Sequence, residues 1–280
     1  MWTTDHRERY QRKGLRYPID LTDAEWALIE PMIPPAKRGG RRRSVNPREV
    51  VQGLLYILGT GCGWRHLPKD FPPRSTVWEY FDLWDYDRTL ERIHEALYLA
   101  MREAEGREAS PSAAIIDSQS VKSAEKEGLS ARKRALTRAR RRKASSAMCH
   151  VLVDTLGLML RVVVHPASVQ DRDGIALVLD RRTRRRFPFI EVVFADQGYQ
   201  GPKAAAAGAR TGRWRLEIVR RNPETKGFEV LPKRWLVERT LSWLRRNRRL
   251  ARDFEHLVRT AEAFVTLAMI KIMLRRLARG

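Results

Sequence analysis

Cysteine is scarce in this chain: Cys62 and Cys149 are the only two among its 280 residues. Two cysteines cannot build the disulfide framework of a small secreted domain, and neither has the partners of a zinc site. Long apolar runs are missing as well, because the most apolar stretch, residues 263–274, carries Lys271 and falls short of the roughly 18 residues that a membrane helix needs. The first residues are charged where a signal peptide would be apolar. We therefore expect a cytoplasmic protein without a membrane span.

Acidic residues are few relative to basic ones: 33 Asp and Glu stand against 55 Lys and Arg, which gives a formal net charge of +22. Such an excess says nothing about the fold, but it favours a polyanionic partner, either nucleic acid or an acidic membrane surface. With 43% hydrophobic and 31% charged residues, the composition is that of a globular protein. A length of 280 residues suffices for one large domain or two of ordinary size.

The first third of the chain has the apolar spacing and the start signals of helices. Thr22 and Glu25 form a capping box, and Asn46 followed by Pro47 opens a second helix. Further helical stretches follow, so we expect a helical module over residues 17–104. Such a module is either a scaffold that binds nothing or a DNA-binding unit of the helix-turn-helix kind.

A basic arm precedes the second helix and favours the DNA-binding interpretation. It contains two glycines and five cations, Lys37, Arg38, Arg41, Arg42 and Arg43. A flexible basic segment beside a helical module suits contacts with DNA phosphates or with the minor groove.

Beyond residue 112 the apolar spacing becomes that of strands, which then alternate with helices. We therefore expect an α/β or α+β domain with a mixed sheet over residues 112–255, followed by a C-terminal helix over residues 256–280. Two apolar strands of this domain end in a carboxylate, Asp117 and Asp196. If the strands are parallel neighbours, the carboxylates lie side by side and favour a divalent cation; alternatively, each is a turn former or a helix cap.

A long helix, predicted over residues 233–250, carries a third acid, Glu238. The same stretch is rich in arginine, with Arg234, Arg245, Arg248 and Arg249. A carboxylate backed by arginines suits a metal-bound phosphodiester, whose flanks the arginines would hold. The alternative is a solvated, salt-bridged helix face, which charge-rich helices commonly present.

Four stretches carry a family resemblance, and three of them contain one of the three acids each. They are residues 116–122 (IDSQSVK), 165–174 (HPASVQDRDG), 194–200 (FADQGYQ) and 235–243 (WLVERTLSW). These stretches resemble the DDE transposases of bacterial insertion sequences, the fourth and fifth families especially. The helical module, with GCGWRHLP at residues 61–68 and STVW at residues 75–78, resembles the domain that precedes the catalytic core there. The resemblance runs from about residue 17 to about residue 255.

The resemblance implies a ribonuclease-H-like fold, with Asp117 and Asp196 on adjacent central strands and Glu238 on a helix beside them. It implies that these three residues hold two Mg²⁺ or Mn²⁺ ions and catalyse DNA cleavage and strand transfer. The partners would be the terminal inverted repeats of the element and target DNA, bound at the nucleoid by at least a homodimer. In addition to the basic arm, we expect DNA contacts from Lys122, Arg234, Arg245, Arg248 and Arg249.

The chain departs from the family pattern at two places. Arg245 stands where the family usually has lysine, which keeps the charge but not the point-charge geometry. Residues 130–149 lose the pattern abruptly, and residues 131–143 hold eight Lys or Arg and no acid. We interpret residues 130–149 as translated outside the ancestral frame, a change that would impair the enzyme. The rival functions are a nuclease without strand transfer and a decayed, non-catalytic DNA-binding derivative.

Overall fold

The computed structural model describes residues 3, 12, 14–36, 43–122, 146–167, 171–211, 214–220 and 233–279. The chain divides into two compact units. The first comprises Met1–Arg107, Asn247–Arg249 and Thr266–Gly280, and the second comprises Glu108–Arg246 and Leu250–Val265. In the described part of the chain, no helix is both long and apolar enough to cross a bilayer.

The first unit is built from helices. In chain order they are α1 (Asp23–Ile29), α2 (Pro47–Thr60), α3 (Arg74–Tyr86) and α4 (Thr89–Ala104), with 3₁₀ turns at Glu30–Met32 and Trp64–His66. The apolar faces of these helices form a core that includes Leu54, Leu58, Phe81, Trp84 and Leu97, all buried. The helical character predicted for this region is confirmed.

Local capping explains where the first two helices begin. The Thr22 hydroxyl accepts a hydrogen bond from the Glu25 amide (3.1 Å), and the Glu25 carboxylate accepts one from the Thr22 amide (3.0 Å). Asn46 Oδ1 accepts from the Arg48 amide at the start of α2 (2.9 Å). Gly61, with φ of +71°, ends α2 in the left-handed conformation that glycine adopts without strain.

The second unit is a mixed five-stranded sheet with helices. Its strands are β1 (Ala113–Lys122), β2 (Ser146–Asp154), β3 (Met159–Pro166), β4 (Val192–Ala195) and β5 (Arg215–Ile218). Its helices are α5 (Asp171–Val178), α6 (Arg181–Arg186), α7 (Pro202–Thr211) and α8 (Arg234–Arg245), followed by α9 (Val258–Leu277), which continues into the first unit.

The order of the strands in the sheet is β3-β2-β1-β4-β5. The β1–β2 and β2–β3 pairs are antiparallel, whereas β1–β4 and β4–β5 are parallel. Helix α8 packs against β1 and β2. A helical N-terminal region followed by a mixed sheet with helices confirms the predicted fold class and is the arrangement expected of a ribonuclease-H-like domain.

Candidate active site

Asp117 lies within β1 and Asp196 directly follows its parallel neighbour β4, so the prediction that the first strand ends at Asp117 is wrong. Ile115 of β1 pairs with Phe194 of β4, and each aspartate comes two residues after its paired residue. The parallel neighbourhood on which the sequence argument depended is therefore present. Asp196 also acts as a cap, because its Oδ1 accepts from the Gly198 amide (2.9 Å). The cap uses Oδ1 and leaves Oδ2 available for another partner.

Arg234 links that second oxygen to Glu238. Its Nη2 lies 3.6 Å from Asp196 Oδ2, and its Nε lies 3.1 Å from Glu238 Oε1. Arg234 and Glu238 are one turn apart on α8, so both project from the same side of this helix. Helix α8 thus brings the third acid and an arginine to the end of β4 and to its neighbour β1.

The pKa of Asp117 depends on burial and on the charges of Asp196, Glu238 and Arg234. The pKa of its carboxyl is raised from 3.8 to about 6. Burial is the largest cause and the charges of Asp196 and Glu238 add to it, whereas the Ser118 amide and Arg234 act in the opposite direction. The Ser118 amide donates to Asp117 Oδ1 (2.8 Å). The fold therefore disfavours the ionised form of the Asp117 carboxyl.

The three carboxylates do not form a closed metal cage in this arrangement. Among the residues that the structure describes, no group of three or more His, Cys, Asp or Glu side chains is arranged to hold a metal ion. The guanidinium of Arg234 lies between Asp196 and Glu238 and supplies positive charge there. Carboxylate oxygens are nevertheless the donors that Mg²⁺ prefers, so the donor chemistry of the group fits a divalent cation.

Two residues next to Glu238 fasten α8 to the β2–β3 turn. Thr240 Oγ1 donates to the carbonyl oxygen of Gly157 (2.7 Å), and Arg239 Nη2 donates to that of Leu156 (2.9 Å). Sequence reasoning did not single out either role, because the partners are 83 residues apart in the chain. The one signal available was Gly157 itself, because glycine is a residue type that turns favour.

At the start of α8, Lys233 makes a further contact with the sheet. Its Nζ lies 3.6 Å from the centre of the Phe194 ring, on the strand that leads to Asp196. Lys233 has φ of +72°, an unusual value for a residue other than glycine. The helix that carries Glu238 is thus tied to β4 at its beginning and to the β2–β3 turn near its middle.

Comparisons with known proteins identify the family of the chain. Residues 108–273 match the family model described as a transposase DDE domain, which covers more than half of the chain. The chain belongs to the DDE transposase family. Residues 21–94 match the model described as a putative transposase of the IS4/5 family, so the resemblance to these families of insertion-sequence transposases is confirmed.

Two relatives of the transposase come from Burkholderia cepacia. An uncharacterised 16.2 kDa protein of insertion element IS402 is 33% identical over 108 residues, which are 36% of this chain and 72% of the relative. A putative transposase for insertion sequence element IS402 is 30% identical over 137 residues, 47% of this chain and 64% of the relative. No solved structure matches the chain.

The helix predicted over residues 233–250 of the transposase is shorter than expected. It ends at Arg245, because the Arg246 amide bonds back to the Leu244 carbonyl and the helical pattern stops. Arg248 and Arg249 lie in a separate 3₁₀ turn. The prediction that they form a basic row behind Glu238 on the same helix is therefore wrong.

The basic residues expected to contact DNA are in varied settings. Arg245 and Arg248 are exposed. Arg249 is buried, and its Nη1 donates to the Cys62 carbonyl (3.2 Å), so its charge is directed into the first unit. Lys122 is exposed at the end of β1, and Arg43 lies half-buried with its guanidinium 5.5 Å from the centre of the Tyr80 ring.

Some predicted features fall outside the described residues. They are Lys37, Arg38, Arg41 and Arg42 of the basic arm and most of the segment 130–149. The last part of that segment is described: residues 146–149 belong to β2 and pair in regular register with residues 119–122 of β1.

Proposed function

We propose that this transposase cleaves DNA at the ends of an insertion sequence and joins those ends to target DNA, using Asp117, Asp196 and Glu238. The observation that carries the proposal is the meeting of these acids around one arginine in a DDE domain. Asp196 and Glu238 both pair with Arg234, and Asp117 responds to the charge of all three. Placing three acids from separate elements close together does not help the fold, because like charges repel one another.

We propose that the three carboxylates hold Mg²⁺ or Mn²⁺. The all-oxygen donor set supports this, and so does the raised pKa of Asp117, because a cation would stabilise a carboxylate that burial and the charges of Asp196 and Glu238 disfavour. When bound, the ions would activate the attacking oxygen and stabilise the leaving oxygen of a phosphodiester.

Arg234 would then change partners. Its ion pair with Glu238 is partly exposed, with 32% of the Arg234 side chain and 52% of the Glu238 side chain accessible. Ion pairs this exposed contribute at most about 1 kcal/mol, so releasing Arg234 costs little. A guanidinium released at this position is suited to bind a DNA phosphate through two parallel hydrogen bonds.

Other DNA contacts would come from exposed cations. We propose Lys122, Arg245 and Arg248 for this role, together with the basic arm that ends at Arg43. Arg249 is a weaker candidate because its guanidinium is bonded to the Cys62 carbonyl. Both ends of an element have to be held together for joining, so we propose at least a homodimer on double-stranded DNA, acting at the nucleoid.

The test is to incubate the full chain and Mg²⁺ with labelled DNA that carries the repeats flanking its gene. Transposase activity predicts cut ends and also products in which those ends are joined to a second DNA. Cut products alone would identify a nuclease instead. Binding without any cut product would identify a decayed, DNA-binding derivative.

The out-of-frame interpretation of residues 130–149 is a separate proposal. The absence of acids among eight cations in residues 131–143 supports it. Translating the other two frames of the gene over this segment tests it, because a peptide with the family pattern should appear in one of them. If neither frame contains such a peptide, the interpretation is wrong.

A further inference from the structure

We propose that the β2–β3 turn positions Glu238 and that Thr240 is the residue through which it does so. This inference rests on the proposed role of Glu238 as a ligand for a divalent cation. Thr240 does not touch the reacting atoms in this account. It fixes the rotation of α8 about its axis and its position along the sheet. Both determine where the Glu238 side chain projects.

The hydrogen bonds of Arg239 and Thr240 are placed to do this. Thr240 is completely buried, and its hydroxyl donates to the Gly157 carbonyl at 2.7 Å. Arg239 donates to the Leu156 carbonyl at 2.9 Å. These residues follow Glu238 directly, so the two bonds hold the turn of α8 that carries the acid.

The β2–β3 turn is shaped to receive the helix. Gly157 has φ of +78°, and a Cβ added there would lie 2.8 Å from Thr240 Oγ1. A residue with a side chain would therefore be both strained and too close to the helix. Glycine at this position leaves room for the Thr240 hydroxyl beside the Gly157 carbonyl.

The turn is itself rigidly connected to the strand of Asp117. The buried Asp154 accepts hydrogen bonds from the Leu156 and Leu158 amides through its Oδ1, both at 2.9 Å. Asp154 also pairs with Ala114 of β1, three residues before Asp117. A chain of directional bonds thus runs from β1 through the turn to α8, and it connects two of the three acids.

The apolar contacts and the ion pairs of α8 constrain its rotation less than these bonds do. Val237 and Leu241 are buried and hold the helix on the sheet, but apolar contacts are non-directional and allow rotation. Arg234 pairs with Glu238 within the same helix, so that bond does not fix the helix against the sheet. Its 3.6 Å ion pair with Asp196 is long and partly exposed.

The experiment measures Mn²⁺ binding to the full chain without DNA, by the loss of the free-ion electron paramagnetic resonance signal. Thr240→Val keeps the shape and removes the hydroxyl, and we expect it to weaken binding roughly tenfold, as loss of a group that orients a metal ligand does. Thr240→Ser keeps the hydroxyl and should restore binding to about the wild-type level.

A matched control is available in α6. Thr183 is buried, and its hydroxyl donates to the Val178 carbonyl at 2.6 Å, a bond that involves neither α8 nor the β2–β3 turn. Thr183→Val should lower the free energy of unfolding about as much as Thr240→Val, roughly 1 kcal/mol per hydrogen bond lost, a factor of about five in the folding equilibrium. We expect it to leave Mn²⁺ affinity unchanged. If Thr240→Val does not fold, Arg239→Gln removes the second bond and should weaken Mn²⁺ binding in the same direction.

A double-mutant cycle with Glu238→Gln separates positioning from general damage. If Thr240 acts through Glu238, Thr240→Val has no further effect on Mn²⁺ affinity once Glu238 is neutral. Additive effects, or an unchanged affinity in Thr240→Val, would overturn the inference and leave the proposed function standing. If Glu238→Gln alone leaves Mn²⁺ affinity unchanged, the proposed role of Glu238 is wrong, and the inference fails with it.

Discussion

Replacing Asp117 with asparagine should stabilise the folded chain at neutral pH while removing an acid that we place in the active site. Asparagine has nearly the same shape but never carries the negative charge. Burial, Asp196 and Glu238 all oppose that charge in the folded state. The ionised carboxylate is therefore held in the fold at a cost in stability.

The pKa gives the size of this cost. The folded-state pKa of Asp117 is raised from 3.8 to about 6, so the folded chain binds this proton more tightly than the unfolded chain. The stability that the protonated carboxyl contributes is fully present below pH 3.8 and is lost as the pH rises through about 6. A shift of roughly two pKa units corresponds to about 3 kcal/mol, an upper limit because the side chain keeps some contact with water.

Urea denaturation at a series of pH values measures this cost, followed by tryptophan fluorescence. The free energy of unfolding of Asp117→Asn, relative to wild type, should grow between pH 4 and pH 7 by up to about 3 kcal/mol. Arg234→Gln removes a positive charge that lowers the pKa of Asp117, so it should steepen the loss of stability in the same interval. A difference between Asp117→Asn and wild type that stays constant from pH 4 to pH 7 would refute the reasoning.

Three further predictions concern packing, a buried lysine and a helix cap. Gly157→Ala combines left-handed strain with the loss of the Thr240 bond and should cost about 2–3 kcal/mol in urea denaturation; a wild-type midpoint would contradict the close contact. Burial and neighbouring arginines lower the pKa of Lys271 from 10.5 to about 8. The free energy of unfolding of the wild type should therefore rise between pH 8 and pH 10.5, because the unfolded chain binds this proton more tightly. Urea denaturation of Lys271→Met in the same pH series should lack this rise. Thr22→Ala removes the hydroxyl that caps the Glu25 amide and should lower stability by about 1 kcal/mol in thermal unfolding, whereas Thr22→Ser should retain it.

The features readable from the sequence are those set by neighbouring residues. The caps of α1 and α2 depend on residues two or three positions apart, such as Thr22 and Glu25, and they appear in the structure as the sequence predicts. The end of β4 directly before Asp196 is also a local property, whereas the prediction that a strand ends at Asp117 is wrong, because β1 continues to Lys122. That the two strands are parallel neighbours came from the family resemblance, because the spacing of apolar residues does not determine which strands pair.

The features that the sequence did not reveal depend on contacts between distant residues. Helical spacing continues beyond Arg245, yet the helix stops there and the Arg249 guanidinium bonds the Cys62 carbonyl, 187 residues earlier in the chain. The bond between Thr240 and Gly157 spans 83 residues. Neither contact leaves a periodic mark in the sequence, so only the three-dimensional arrangement identifies them.

The central claim is that Asp117, Asp196 and Glu238 act together in DNA strand transfer. The most direct measurement is the rate at which pre-cut element ends are joined to target DNA by Asp117→Asn, Asp196→Asn and Glu238→Gln. A matched control is Glu191→Gln, which neutralises an exposed acid just before β4. The account predicts that each of the three variants loses joining by roughly a thousandfold, as removal of a metal ligand would cause, while the control joins at the wild-type rate. Joining at the wild-type rate by any one of the three variants would contradict it.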